Sequence, residues 1–141
     1  MLATFGAMIA SIFGGLALLH VYWALGGVRG FIAALPTKGD TPLFMPTPTI
    51  TILVAITLFV GCALVLANTG YLGDGIPIWL LRVGIWAMAA VLLLRALGDF
   101  RYVGVFKRVR DTAFARRDTR YFSPLCFFLA ISCAAIGFLI L

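Results

Sequence analysis

Four long apolar stretches divide the chain and limit its fold more than any other feature of the sequence. They cover approximately residues 2–25, 48–68, 77–97 and 124–141. A helix needs about 20 residues to cross the roughly 30 Å hydrocarbon core of a bilayer, so each stretch is long enough to span it. With 63% hydrophobic and 11% charged residues, the chain has too little polar surface for a soluble globule. We therefore predict an all-α integral membrane protein, a single four-helix bundle.

Proline marks the start of three of these stretches, at Thr47-Pro48, Pro77 and Ser123-Pro124. Proline suits the first helical turn because the N–H that it lacks has no partner there. Thr47 and Ser123 are then expected to cap their helices. The first stretch has no basic residue before it and exceeds the roughly 7–15 apolar residues of a secretory signal, so we expect a retained helix.

Basic residues are concentrated on one side of the predicted bundle. Eleven Lys or Arg stand against five acidic residues, and nearly all of them fall in the loops 26–47 and 98–122. By the positive-inside rule these loops are expected to be cytoplasmic, which places both termini outside the cytoplasm. Arg82 and Arg95 lie inside the third stretch instead. We interpret Arg82, between Trp79 and Trp86, as an interfacial anchor. The excess charge suits an anionic membrane surface and fits nucleic acid poorly.

Small residues recur every four positions along the first stretch, in two adjacent rows. Such rows let helices approach closely in lipid. Two interpretations remain open: packing within the chain, and a homo-oligomer seam. The rows are Ala3, Ala7, Ser11 and Gly15, and Gly6, Ala10 and Gly14.

The triplet Arg-Asp-Thr occurs at 110–112 and again at 117–119. As a helix, this region would place Tyr102 and Phe106 on an apolar stripe opposite Lys107, which predicts an amphipathic basic segment between helices 3 and 4. The seven-residue offset would stack one triplet over the other. The segment is either a solvated flank or a phosphate-binding rim of forked arginine donors. The residues predicted to bind lipid or ligand are Trp23, Arg101, Tyr102, Lys107, Arg110, Arg116 and Arg117.

Three ionisable residues lie near the same predicted end of the bundle, where burial in lipid is costly and often functional. They are His20, Arg95 and Asp99. The four-residue spacing of Arg95 and Asp99 predicts a same-face ion pair. These three are the catalytic candidates, and the alternative, which the sequence favours for each residue taken alone, is a structural role.

Several chemistries are disfavoured by the same inspection. Cys62, Cys126 and Cys133 form no Cys-x-x-Cys pair, which argues against a thiol oxidoreductase. A single histidine excludes bis-histidine haem ligation within the chain. No carboxylate lies inside a stretch, which argues against a proton-coupled antiporter. We predict no metal and no cofactor.

Four segments together resemble a known family. The segments are His20-Val21-Tyr22-Trp23-Ala24-Leu25-Gly26-Gly27, Pro36-Thr37-Lys38-Gly39, residues 95–102 and residues 118–126. Together they are similar to the small bacterial membrane proteins grouped as domain of unknown function 3995. The resemblance implies four transmembrane helices and a bacterial inner membrane, and it implies no activity.

Two hypotheses about function follow. The first is a non-enzymatic module that binds anionic lipid or a membrane partner through the basic loop. The second is an intramembrane enzyme or carrier for an anionic or phosphorylated lipid, with His20 as acid or base, Arg95 and Arg101 holding the headgroup, and Asp99 orienting one of them. The second hypothesis requires these side chains to converge.

Overall fold

A computed structural model describes residues 1–72 and 75–139. Four long helical segments dominate it, and each is long and apolar enough to cross a membrane. The all-α four-helix prediction is confirmed. The first three helices are α1 (Leu2–Ala24), α2 (Pro48–Asn68) and α3 (Ile78–Leu97), and the fourth segment comprises α4 (Ala113–Arg117), a π-helical turn (Asp118–Phe122) and α5 (Ser123–Leu139).

The fourth helical segment begins earlier than the proline signal predicts. Thr112, not Ser123, provides the cap: its Oγ1 accepts a hydrogen bond from the Ala115 N–H at 3.0 Å. Ser123 lies inside the continuous helix, with φ −67° and ψ −45°. Pro124 follows a π-helical turn, and this wider turn relieves the clash that a proline ring makes with the carbonyl four residues back in a regular α-helix. The predicted cap at Thr47 is confirmed, since its side chain accepts from the Ile50 N–H at 3.3 Å.

The helices pack most extensively in two pairs, α1 with α2 and α3 with α5. In the first pair, Gly61 allows close approach, because a Cβ there would lie 2.7 Å from the fully buried Phe13 ring. The predicted neighbours α2 and α3 also touch, with Leu64 packed against Gly84, but over a smaller area. Apolar side chains from all four helices then form one core.

The two small-residue rows of α1 differ in burial. Gly6 and Ala10 are buried, and a side chain at Gly6 would overlap Thr69 at the end of α2. This row therefore serves packing within the chain. The other row points away from the core, since Ser11 and Gly15 are exposed. Its role as an oligomer seam stays a prediction.

Two loops lie at one end of the bundle. The first contains a short 3₁₀ helix (Ile32–Ala34) and a hairpin of β1 (Thr37–Lys38) and β2 (Thr41–Pro42), and it contacts α4. The second loop, 98–112, is irregular, so the predicted amphipathic helix through Tyr102 and Phe106 is wrong. Gly98 and Gly104 explain the difference: both have positive φ (84° and 91°), and a Cβ on either would overlap the backbone of the other. This contact brings the two ends of the segment 98–104 together, which the backbone of an α-helix does not allow.

Candidate functional site: a basic loop anchored on a buried aspartate

Asp118 is the centre of the most buried polar cluster that the structure describes in this loop region. Its side chain is fully buried. One carboxylate oxygen, Oδ1, accepts from Arg95 Nη2 at 2.9 Å. The other, Oδ2, accepts from the Gly104 N–H at 2.8 Å and from Lys107 Nζ at 3.1 Å. The aspartate therefore ties α3 and the 98–112 loop to the fourth helical segment.

Lys107 is almost as deeply buried, with 2% of its surface exposed. Besides Asp118, its ammonium group donates to the Gly104 carbonyl at 2.9 Å and to Thr119 Oγ1 at 2.6 Å. These three contacts use all three donors of the group. Lys107 was predicted to bind lipid or ligand, but the structure engages it inside the protein, where the opposite charge offsets its burial.

The π-helical turn directs Asp118 towards the interior. The Ser123 N–H donates to the Asp118 carbonyl, five residues back. In an uninterrupted α-helix, side chains five positions apart differ by about 140° around the axis. The wider turn reduces that angle, so Asp118 joins the buried face that continues through Ser123, Ala130 and Cys133. Turns of this kind frequently occur at functional sites.

The predicted stacking of the two triplets is therefore wrong. Asp118 is buried in the helical segment, whereas Asp111 is exposed in the loop before α4. The two copies of Arg-Asp-Thr have different structural roles: Thr112 of the first caps a helix, and Asp118 of the second anchors the loop.

The predicted ion pair between Arg95 and Asp99 is also wrong, because Arg95 pairs with Asp118. Asp99 Oδ1 instead accepts three consecutive backbone N–H groups, from Arg101 at 2.9 Å, Tyr102 at 2.7 Å and Val103 at 3.0 Å. Slight burial alone would raise the pKa of Asp99, but these three donors outweigh it and hold the pKa below its ordinary value. Asp99 therefore shapes the loop and does not orient Arg95.

His20 lies at the end of α1, in contacts of its own. Its Nδ1 is 2.8 Å from the Leu16 carbonyl oxygen, which can only accept, so Nδ1 is the donor. The ring meets Trp23 edge-on at 5.0 Å, and Trp23 Nε1 donates to the Arg29 carbonyl at 2.8 Å. Within residues 1–72 and 75–139, no hydrogen bond or ion pair joins His20 to Arg95 or to Asp99.

Six arginines remain exposed around this anchor, and we call them the basic rim. Two are oriented by the backbone: Arg110 Nε donates to the Lys107 carbonyl at 3.1 Å, and Arg116 Nη1 to the Asp111 carbonyl at 3.0 Å. The basic rim consists of Arg101, Arg108, Arg110, Arg116, Arg117 and Arg120.

Aromatic side chains lie among these arginines. Phe100 and Phe106 are 58% and 57% exposed and stack with ring centroids 6.3 Å apart. The guanidinium of Arg101 lies 5.3 Å from the Tyr102 ring centroid. Exposed aromatic rings beside arginines are typical of a surface at the boundary between hydrocarbon and headgroups.

The sequence does not reveal this anchor, because Asp118 stands among arginines in a segment interpreted as a solvated flank or a phosphate-binding rim. The pairing of Gly98 and Gly104 around Asp99 was a usable signal of a tight loop. Nothing in the sequence, however, displays the π-helical turn that rotates Asp118 inwards. In the part of the chain that the structure describes, no group of three or more His, Cys or Asp side chains is placed to hold a metal ion.

The fold and the site define a class of protein: a multi-pass membrane protein of four helices, with one long loop fastened by a buried carboxylate. A family model described as Protein of unknown function (DUF3995) matches residues 13–133, and the chain belongs to that family. The match contains all four segments on which the resemblance was based. No curated protein and no solved structure matches the chain significantly.

Proposed function

We propose that the protein is a non-enzymatic module of the bacterial inner membrane that binds anionic lipid through the basic rim. One observation carries the proposal: the loop is held rigidly from inside by Asp118 and Lys107, while its arginines stay at the surface. A rigid loop favours binding because it loses less conformational entropy when the headgroup binds. A membrane protein partner with an acidic surface would meet the same charges.

The orientation in the membrane supports the same role. The exposed arginines and both loops lie at one end of the bundle. By the positive-inside rule this end faces the cytoplasm, and both termini face the other side. The cytoplasmic leaflet carries the anionic lipids, so the basic rim lies where its ligand is found.

Lipid binding by purified protein tests the proposal. Arg110, Arg116 and Arg117 are replaced together by Gln, and binding of phosphatidylglycerol is compared with that of phosphatidylcholine by native mass spectrometry at two salt concentrations. Each arginine near the surface contributes about 1 kcal/mol at moderate salt, so the triple variant loses most of its preference for the anionic lipid and most of its salt dependence.

The matched control replaces the same three arginines by Lys. Charge is kept and the forked geometry is lost, so this variant retains most of the binding if attraction is mainly electrostatic. A Gln triple variant that binds phosphatidylglycerol as well as the unchanged protein refutes the proposal. Loss of binding in both triples would indicate recognition by geometry and not by charge.

A further inference from the structure

An apolar groove of about 260 Å³ lies between α3 and α5. Its walls are Trp86, Ala90 and Leu93 on α3, and Ala130 and Ile131 on α5. Four of these, Trp86, Ala90, Leu93 and Ile131, are exposed on the outside of the bundle. The groove is therefore open to whatever surrounds the helices, which for a membrane protein is lipid.

One end of the groove is closed by aromatic packing. The Trp86 ring meets Phe138 edge-on at 4.8 Å and lies against Gly137. The groove follows α3 from Trp86 towards Leu93, and α3 leads on to the 98–112 loop. Its other end is therefore directed at the basic rim.

An exposed stripe on the fourth helical segment connects this end to the basic rim. Ile131, Phe127 and Pro124 are exposed and spaced as i, i−4 and i−7, which is one face of α5. Arg120 is exposed in the π-helical turn that precedes α5. At about 1.5 Å per residue, Arg120 lies about 16 Å from Ile131 along the axis. That length is about one leaflet of a hydrocarbon core of roughly 30 Å, so an acyl chain whose phosphate lies at Arg120 reaches the groove with its terminal carbons.

The width of the groove argues for a hydrocarbon chain and against a helix. Its walls extend from Trp86 to Leu93, about 10 Å along α3. The volume then corresponds to a mean cross-section of about 25 Å², so a helix of about 10 Å diameter does not fit inside the groove. A single hydrocarbon chain fits, since its carbons approach their neighbours to about 4 Å.

We infer that this groove holds the end of one acyl chain of an anionic phospholipid, whose phosphate is bound by Arg120. The Arg120 guanidinium lies 5.5 Å from the Tyr121 ring centroid, which holds it at the surface. The inference rests on the proposed affinity for anionic lipid and adds a defined lipid site to it. Arg120 is the recognising charge, and the groove supplies the shape.

Quenching of Trp86 fluorescence by lipids with brominated chains tests the site. Trp23 and Trp79 are replaced by Phe, and the protein is placed in phosphatidylcholine bilayers with a minor fraction of brominated phosphatidylglycerol or brominated phosphatidylcholine. We expect an apparent affinity about fivefold higher for phosphatidylglycerol, as one surface charge of about 1 kcal/mol gives. If the two Phe substitutions prevent folding, the difference in quenching between the full chain and Trp86→Phe gives the same quantity.

Two substitutions, each with a matched control, locate the site. Arg120→Gln should bring the ratio to about one, while Arg29→Gln, on the other loop, leaves it near fivefold. Ala90→Phe should fill the groove and reduce quenching by both lipids. Ala63→Phe, at an exposed position of α2, should leave quenching unchanged.

Other outcomes overturn the inference. Equal quenching by both lipids in the protein without groove or Arg120 substitutions means that the groove holds bulk lipid. Weak quenching that increases when the protein is diluted means that a second copy covers Trp86. The Gln triple of the basic rim separates the two proposals, because it leaves Arg120 and the groove intact. A triple without effect on overall lipid binding, beside a fivefold ratio at Trp86, refutes the role proposed for Arg110, Arg116 and Arg117 and leaves the site at Arg120 standing.

Discussion

Removing the carboxylate of Asp118 should destabilise the protein more than any change to the exposed arginines. In Asp118→Asn the Lys107 ammonium stays buried, with only 1% of its side chain exposed, and loses its opposite charge. Breaking a buried ion pair from one side costs about 3–5 kcal/mol. Arg95 adds little to this cost because its side chain is 35% exposed and can recruit solvent. We therefore expect a loss near the lower limit, about 3 kcal/mol.

Reversible unfolding of the detergent-solubilised protein by a denaturing detergent measures this free energy of unfolding. Asp111→Asn is the matched control, since it alters the exposed aspartate of the other triplet and should change stability by less than about 0.5 kcal/mol. The double variant Asp118→Leu with Lys107→Met should recover much of the loss, because no buried charge is left unpaired. The reasoning fails if Asp118→Asn is as stable as Asp111→Asn, or if the double variant is less stable than Asp118→Asn.

Four further predictions concern other parts of the molecule. A topology reporter fused after Leu141 should be active only outside the cytoplasm, and activity inside would contradict the charge argument. His20→Ala should lower the melting temperature along with any deletion phenotype, because the Leu16 and Trp23 contacts are lost; lost complementation at unchanged stability would instead indicate catalysis. The Asp99 carboxylate should stabilise the loop at pH values above its ordinary pKa of 3.8, and this stabilisation should be lost as the pH falls through the lower pKa that Asp99 has in the folded protein. The melting temperature of Asp99→Asn should therefore depend less on acid pH than that of the unchanged protein. If the outward row of α1 forms an oligomer seam, Ser11→Cys should form disulfide-linked dimers in membranes, and Ser132→Cys, which is buried in α5, should not.

The sequence by itself determined the class of protein and the extent of its first three helices. Twenty-residue apolar stretches have one stable arrangement in lipid, because every backbone group must be satisfied within the segment. The helices α1, α2 and α3 therefore lie where the apolar stretches predict. The family assignment could be made on the same basis, from residues 20–27 and 118–126 among others.

Only the tertiary structure decided the loop and the site. A helical wheel placed Lys107 on a polar face and Asp99 beside Arg95, since it assumes a helix throughout 98–122. The contact between Gly98 and Gly104 breaks that assumption, and the π-helical turn rotates Asp118 inwards. The packing of distant segments decides which cation a buried carboxylate binds. That packing depends on the fit of side chains across the whole bundle, and no local sequence pattern contains this information.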